Sequence, residues 1–198
     1  IWTIVLLLLL AFNLKNIPLV WHFRIVNALS SVLPSQRAYT PQDAPTIFDA
    51  VVTESHSPVM EIDFNLHKSN STYFSDLDIA RAHLTCTLFS RGIEAARFAA
   101  YDHVIGGGNK PFGALLGGAS CAFKHEIKPY QRYLMWSRVL CWNGKWFWIV
   151  TWFVEANGKD SPDQEKKVFA TGLSKCVFKK GRKTVKPETI MKLSGLLP

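Results

Sequence analysis

The stretch STYFSDLDIARAHLTCTLFS, residues 71–90, decides the architecture. Within it Tyr73, Leu77, Ala80, Leu84 and Leu88 recur at steps of three or four. That spacing puts them on one stripe of an α-helix, and a stripe of this kind is buried. Asn70 or Ser71 suits the N-cap, Asp76 and Asp78 suit the positive end of the helix dipole, and Gly92 suits the helix end. So apolar a helix calls for a sheet that wraps it.

Working outward, the runs Tyr133–Trp142 and Lys145–Glu155 are both β-forming and are joined by Asn143-Gly144. A two-residue Asn-Gly link suits a type I′ turn, because both residues must take positive φ. That turn predicts Cys141 opposite Trp146 and Leu140 opposite Phe147. Trp136, Trp142, Trp146, Trp148 and Trp152 ride on this hairpin, so cover on both faces is expected. Residues 114–127 read as a strand with a bulge at Gly117-Gly118, and residues 167–179 as a last strand. Upstream, residues 46–53 read as a first strand and 59–64 as a short one entering a loop. Gly106-Gly107-Gly108 with Asn109 and Pro111 makes a turn. Strand, helix, then antiparallel strands is an α+β order, an antiparallel sheet around one long central helix.

The chain has 198 residues, 48% of them hydrophobic, which is enough for one cored domain plus an extra segment and argues against disorder. Its 23 Lys and Arg against 15 Asp and Glu leave a net charge of +8 and favour anionic partners. Cys86, Cys121, Cys141 and Cys176 show no C-x-x-C spacing, so no metal is expected. The first three sit in apolar runs and read as small buried thiols.

Ile1 to Phe12 is almost wholly apolar and is followed by Asn13 and Lys15. As a helix it would rise only about 18 Å against the roughly 30 Å of a bilayer core. Residues 17–33 mix apolar side chains with His22 and Arg24 and read as an amphipathic interfacial helix anchored by Trp21. A cleaved signal fits less well, because Ala28-Leu29-Ser30 lies too far beyond the apolar run. The expectation is a membrane anchor over 1–33, with the positive-inside rule leaving the following domain in the cytosol. A linker over 34–45, a domain over 46–193 and a short tail over 194–198 complete the organisation. The basic run Lys179, Lys180, Arg182, Lys183 and Lys186 reads as a solvated or membrane-facing surface, and no nucleic-acid partner is expected.

Between first strand and helix stands Asp63-Phe64-Asn65-Leu66-His67-Lys68-Ser69-Asn70-Ser71-Thr72-Tyr73. This segment resembles the active-site signature of the 4-hydroxybenzoyl-CoA thioesterase branch of the hotdog superfamily. Asp63, Asn65, His67, Asn70 and Tyr73 match in kind when the family's glycine is placed on Leu66. Asp78-Ile79-Ala80-Arg81 is similar to the acidic-x-Ala-Arg run on the central helix of such enzymes. More narrowly, the pattern resembles the thioesterase-superfamily-member-6-like group, which includes fungal thioesterases of secondary metabolism. The resemblance implies a hotdog domain, a homodimer, and hydrolysis of an acyl thioester on CoA or an acyl carrier protein, without a cofactor.

Thioester hydrolysis needs a polarised carbonyl and an activated water or an attacking carboxylate. The resemblance makes Asp63 the catalytic carboxylate. The start of a helix offers free backbone N–H groups, so the amides near Asn70, Ser71 and Thr72 are candidates for an oxyanion hole. His67 and Asn70 would order loop and substrate, Asp78 would be an auxiliary acid, and Lys68 would meet a phosphate of CoA or of a carrier arm. Each has a plainer reading: Asp63 as a turn former, Asn70 as a cap, Asp78 as an intrahelical partner of Arg81, Lys68 as a solvated charge. Leu66 in the glycine's place keeps open a silent acyl-binding or tethering module. Other chemistries fit worse. The hotdog hydratase signature needs a Pro and a differently spaced His. Gly117-Gly118-Ala119-Ser120-Cys121 lacks the second glycine of a nucleophile elbow, and Gly106–Pro111 lacks P-loop spacing.

Overall fold

The computed structural model describes residues 2–32, 46–97, 105, 110–156 and 167–198. Its elements are α1 (Trp2–Phe12), a 3-10 turn (Leu14–Asn16), α2 (Val20–Asn27) running into a π-turn (Ala28–Val32), β1 (Val51–His56), and the central helix α3 (Thr72–Arg97). Then follow β2 (Phe112–Phe123), β3 (Arg132–Trp142), β4 (Phe147–Glu155), β5 (Val168–Lys180), β6 (Lys183–Val185) and α4 (Pro187–Leu193). The strands form one antiparallel sheet in the order β1-β3-β4-β5-β2, with β6 paired to β5.

The periodic stripe does what its spacing demands. Tyr73, Leu77, Ala80, Leu84 and Leu88 are all buried, facing Tyr133, Met135, Phe153, Phe169 and Ala170 at one end and Phe147, Ile149, Cys176 and Phe178 at the other. Each large apolar side chain so placed contributes about 1.5–3 kcal/mol relative to exposure. The antiparallel sheet wrapped on one long helix is therefore observed as expected.

The helix departs from the reading in length. It runs through Gly92 to Arg97, and Gly92 has a packing reason instead of a stopping one. A Cβ there would lie 2.4 Å from the Ile190 carbonyl oxygen and 2.5 Å from Ser194 Oγ. The Gly92 N–H donates to Ser194 Oγ at 3.1 Å, and that hydroxyl donates to Ile190 O at 2.7 Å. Residues 187–197, outside the expected elements, thus cover the far side of α3, with Leu193, Leu196 and Leu197 against the core.

Other differences are local. Residues 46–49 are a turn held by Asp49, whose carboxylate accepts from Thr46 N and Thr46 Oγ1 at 2.7 and 2.6 Å. The strand expected over 59–64 is a 3-10 turn (Val59–Glu61) followed by an isolated Ile62–Lys68 bridge. The bulge at Gly117 is present, and Gly117 leaves room for the Trp146 ring, which an added Cβ would meet at 2.4 Å. The hairpin register differs: Trp142 pairs with Phe147 and Cys141 with Trp148. Asn143 causes this, since its Oδ1 accepts from both Lys145 N and Trp146 N while its own N–H donates to Trp146 O at 2.8 Å. The outer tryptophans are covered by cations more than by a second layer, with Arg138 over Trp152 at 4.9 Å and Lys175 over Trp146 at 4.3 Å. All four cysteines are free. The linker expected over 34–45 and the glycines of the 106–109 turn lie outside the described residues.

The expectation of a membrane-anchored protein with its catalytic domain in the cytosol is corrected. No helix among the described residues is long and apolar enough to cross a membrane. α1 has 11 residues, a rise of about 16 Å. The chain then turns into the domain: Asn13 Oδ1 accepts from Met60 N–H at 2.9 Å, and the Lys15 side chain is only 7% exposed. The segment read as interfacial lies against α3, with Ala28 wholly buried in the core.

Replacing Gly92 by Ala tests the closeness of α3 and α4. Ala is the better helix former by about 1 kcal/mol, yet overpacking here should cost a net 1–3 kcal/mol or so, read as a lower urea midpoint with an unchanged slope.

Candidate active site

The site loop is built by backbone pairing. The Asp63 N–H donates to His67 O and the Leu66 N–H to Asp63 O, both at 3.0 Å. Leu66 takes φ 61, the left-handed region where glycine is at ease and other residues carry a cost of roughly 1–2 kcal/mol. Its side chain is 76% exposed and points away from the loop. The glycine position of the resembling signature is thus a conformational requirement that Leu66 meets under strain. The loop is stitched to its surroundings by Lys68 N–H to Ile127 O at 2.9 Å and Ser69 N–H to Glu61 O at 2.7 Å.

The Asp63 carboxylate accepts from Asn65 N–H at 2.9 Å and stands 3.8 Å from His67 Nδ1. His67 Nδ1 is also 3.4 Å from the Lys68 carbonyl. Nδ1 thus faces two oxygen acceptors, the nearer being the Lys68 carbonyl. His67 lines a cleft of about 280 Å³ together with Lys68, Asn70, Tyr73, Phe123, Lys124, His125 and Glu126. The start of α3 forms one wall and the end of β2 the other. Asp63 does not line this cleft and reaches it only through His67.

The remaining expected residues fall into place unevenly. Asn70 lines the cleft. The Thr72 N–H donates to Ser69 O at 3.0 Å and its hydroxyl to the same oxygen at 2.7 Å, so Thr72 is spent on the turn. Ser71 Oγ meets Ser69 Oγ at 3.2 Å instead of capping the helix. The N–H groups of Asn70, Ser71 and Tyr73 have no acceptor among the described residues, and the first two stand at the helix tip, just before its first residue. Asp78 is paired to Arg81 one turn on, with Arg81 Nη1 also 3.4 Å from Ser174 Oγ, and neither lines the cleft. Lys68, expected at a phosphate, turns inward: its side chain is 0% exposed and pairs with Glu61 and, at 2.9 Å, with Asp76.

That pairing belongs to a cluster beneath the loop which the sequence reading missed. Lys15 Nζ lies 2.9 Å from both Glu61 Oε1 and Asp76 Oδ1, and donates to His56 O at 2.9 Å. Tyr133 Oη donates to Asp76 Oδ2 at 2.6 Å and Ser55 Oγ to Asp76 Oδ1 at 3.2 Å. Arg24 Nη1 approaches the same carboxylate at 3.7 Å. Burial by itself would raise the Asp76 carboxyl, but the Lys15 and Lys68 ammoniums and the Tyr133 hydroxyl outweigh it and hold it at about 2. Burial, with Asp76 beside it, pushes the Tyr133 hydroxyl well above its ordinary value. One signal was available: Asp76 is three residues after Tyr73 and four before Ala80, on the buried stripe rather than off it. Lys15 was read as a charge flanking an apolar run, and His125 and Glu126 lie past a strand with no motif around them.

The comparisons with known proteins bear on the family and the fold. The family described as the Thioesterase-like superfamily matches residues 58–192. The "Probable thioesterase atnL" of Emericella nidulans is 40% identical over 213 residues, covering 96% of this chain and 70% of that protein. "Thioesterase poxG" of Penicillium oxalicum is 36% identical over 216 residues, covering 99% and 71%. Among solved structures, a mutant 4-hydroxybenzoyl CoA thioesterase complexed with 4-hydroxybenzoyl CoA superposes with a TM-score of 0.51 at 12% identity, over 73% of this chain and 98% of that one. At that identity the likeness is one of fold.

The Asp76 carboxyl makes stability depend on pH. Its folded value of about 2 lies below the roughly 3.9 of an unfolded Asp, so its contribution is complete above about pH 4 and is lost as pH falls towards 2. The share at stake is about 2–3 kcal/mol. Asp76→Asn should flatten urea-melt stability between pH 4 and 2, and should cost about 3–5 kcal/mol at neutral pH by leaving buried ammoniums unbalanced.

Proposed function

The chain belongs to the thioesterase-like superfamily and has its hotdog fold, and from that premise we propose that it hydrolyses the acyl thioester of CoA or of a carrier-protein arm at the cleft between α3 and β2. The carrying observation is the Asp63–His67 couple beside a helix tip with two free amides. In this reading Asp63 holds the His67 ring through Nδ1, and Nε2 takes a proton from water as the water oxygen attacks the thioester carbonyl. The Asn70 and Ser71 N–H groups receive the developing oxyanion, where a donor of this kind is worth roughly a hundred- to a thousandfold in rate. The C–S bond then breaks and the imidazolium returns its proton to the departing thiolate. The acyl group, from lipid or secondary-metabolite biosynthesis, lies along Tyr73 and Phe123, whose rings are 5.0 Å apart. The phosphates of the thiol carrier fall to Lys124 at the end of β2, in place of the buried Lys68.

A panel of acyl-CoA thioesters assayed for free thiol checks this. His67→Ala should lower kcat about a hundredfold or more and Asp63→Asn at least tenfold or so, with both variants folded. Acyl-CoA binding without thiol release by the unaltered chain, or undiminished release by His67→Ala, would sink it.

A homodimer fits the same site. β2 is the outer strand of the sheet, and Leu115, Leu116 and Phe123 on it are 52%, 45% and 42% exposed. A long apolar edge strand invites pairing with a second copy, and β2 ends in the cleft wall. Light scattering should report a dimer for the unaltered chain and a monomer for Leu115→Lys/Leu116→Lys, with thiol release falling alongside.

A further inference from the structure

Lys15 lies before residues 58–192, the part of the chain that the family matches, yet its ammonium ends directly beneath the site loop. Four charged groups meet there, two carboxylates (Glu61, Asp76) and two ammoniums (Lys15, Lys68), with side chains no more than 7% exposed. Each carboxylate is shared by both lysines. Lys68 is the residue after His67, bridges to Ile62 across the loop, and donates its N–H to the carbonyl of Ile127, the buried residue that follows the cleft wall. Its side chain therefore fixes the base of the loop that carries Asp63 and His67.

Taking Lys15 away would leave two carboxylates competing for one buried ammonium. At this depth like charges a few ångströms apart repel strongly, and Lys68, although it touches both carboxylates, brings one positive charge against two negative ones. Arg24 cannot stand in, since its guanidinium is 3.7 Å from a single Asp76 oxygen and 27% exposed. We infer that Lys15 is a positioning residue of the thioester site: by balancing Glu61 and Asp76 it sets Lys68, and through Lys68 the orientation of the Asp63–His67 couple. The N-terminal segment is then a working part of the enzyme. This rests on the reading of Asp63 and His67 given above.

The experiment uses the full chain. Lys15→Met keeps the length of the side chain and removes its charge. It should remain folded, lower kcat about ten- to a hundredfold as expected for a displaced reacting group, and leave KM for an acyl-CoA substrate nearly unchanged. Lys15→Met/Glu61→Gln restores the charge balance, with Asp76 and Lys68 paired one to one, and should recover most of the lost kcat. A role confined to packing the N-terminal segment would not be rescued by a second substitution on the other side of the cluster. Lys15 also lines an open cavity of about 370 Å³ with Trp21, His22 and Met60, so propylammonium added to Lys15→Ala should raise kcat and should not raise that of the unaltered chain.

Wild-type kcat in Lys15→Met, or a double variant no faster than the single one, overturns the inference. Should Lys15→Met fail to fold, the charge-balanced double variant carries the test alone. It must then fold and turn over within about tenfold of the unaltered chain, and anything less overturns the inference. Absence of thiol release by the unaltered chain would count against the proposed function. In that case the nitrogen chemical shifts of His67 test the positioning separately: they should differ between the unaltered chain and Lys15→Met, and identical shifts overturn it.

Discussion

Two carboxylates and two ammoniums are enclosed beneath the start of the central helix, and the arrangement of the surrounding elements follows from keeping them matched. Glu61 comes from the turn after β1, Lys68 from the loop, Asp76 from α3, and Lys15 from the N-terminal segment. A charge so deep costs several kcal/mol to desolvate, and the pairing does little more than offset that cost. What such a cluster supplies is a penalty for any arrangement in which one member is displaced. The loop, the helix start and the N-terminal segment are thereby locked to one another, with the buried Tyr133 hydroxyl as a further donor to Asp76.

The fold was legible wherever a period was clean. The stripe from Tyr73 to Leu88 announced a buried helix, and the long β-forming runs announced the sheet, because both signals come from solvent exclusion acting on side chains within a single element. Register and helix length were less legible, since they depend on contacts between elements. Gly92 looks like a terminator until α4 passes within reach of it. Asn143-Gly144 looks like a two-residue turn until the Asn143 side chain accepts the two amides that follow it. Lys15 was misread for the same reason: in the sequence it merely flanks an apolar run, and the buried carboxylates that draw it inward lie 46 and 61 residues away.

The candidate site shows the same division. The residue types of the loop were readable through their resemblance to a family signature, whereas the left-handed turn that Leu66 adopts in place of the glycine was visible only in the structure. Which side chains face the cleft was not readable, because that depends on the wall supplied by Phe123 to Glu126 and on the inward turn of Lys68.

Leu66 bears on the chemistry as well as on the turn. A leucine held at positive φ carries a cost that the Ile62–Lys68 bridge and the pairs between Asp63 and His67 must overcome. Lys68, at the end of the loop, is held from below by a fully buried carboxylate. The loop therefore carries a strained residue at position 66 and a buried ionic anchor at position 68, and His67 between them stands 3.8 Å from Asp63. A glycine in place of Leu66 would relieve the strain without touching the cluster, whereas loss of the cluster would remove the anchor at Lys68, so the geometry of the site depends more on its buried support than on the residue that departs from the family pattern.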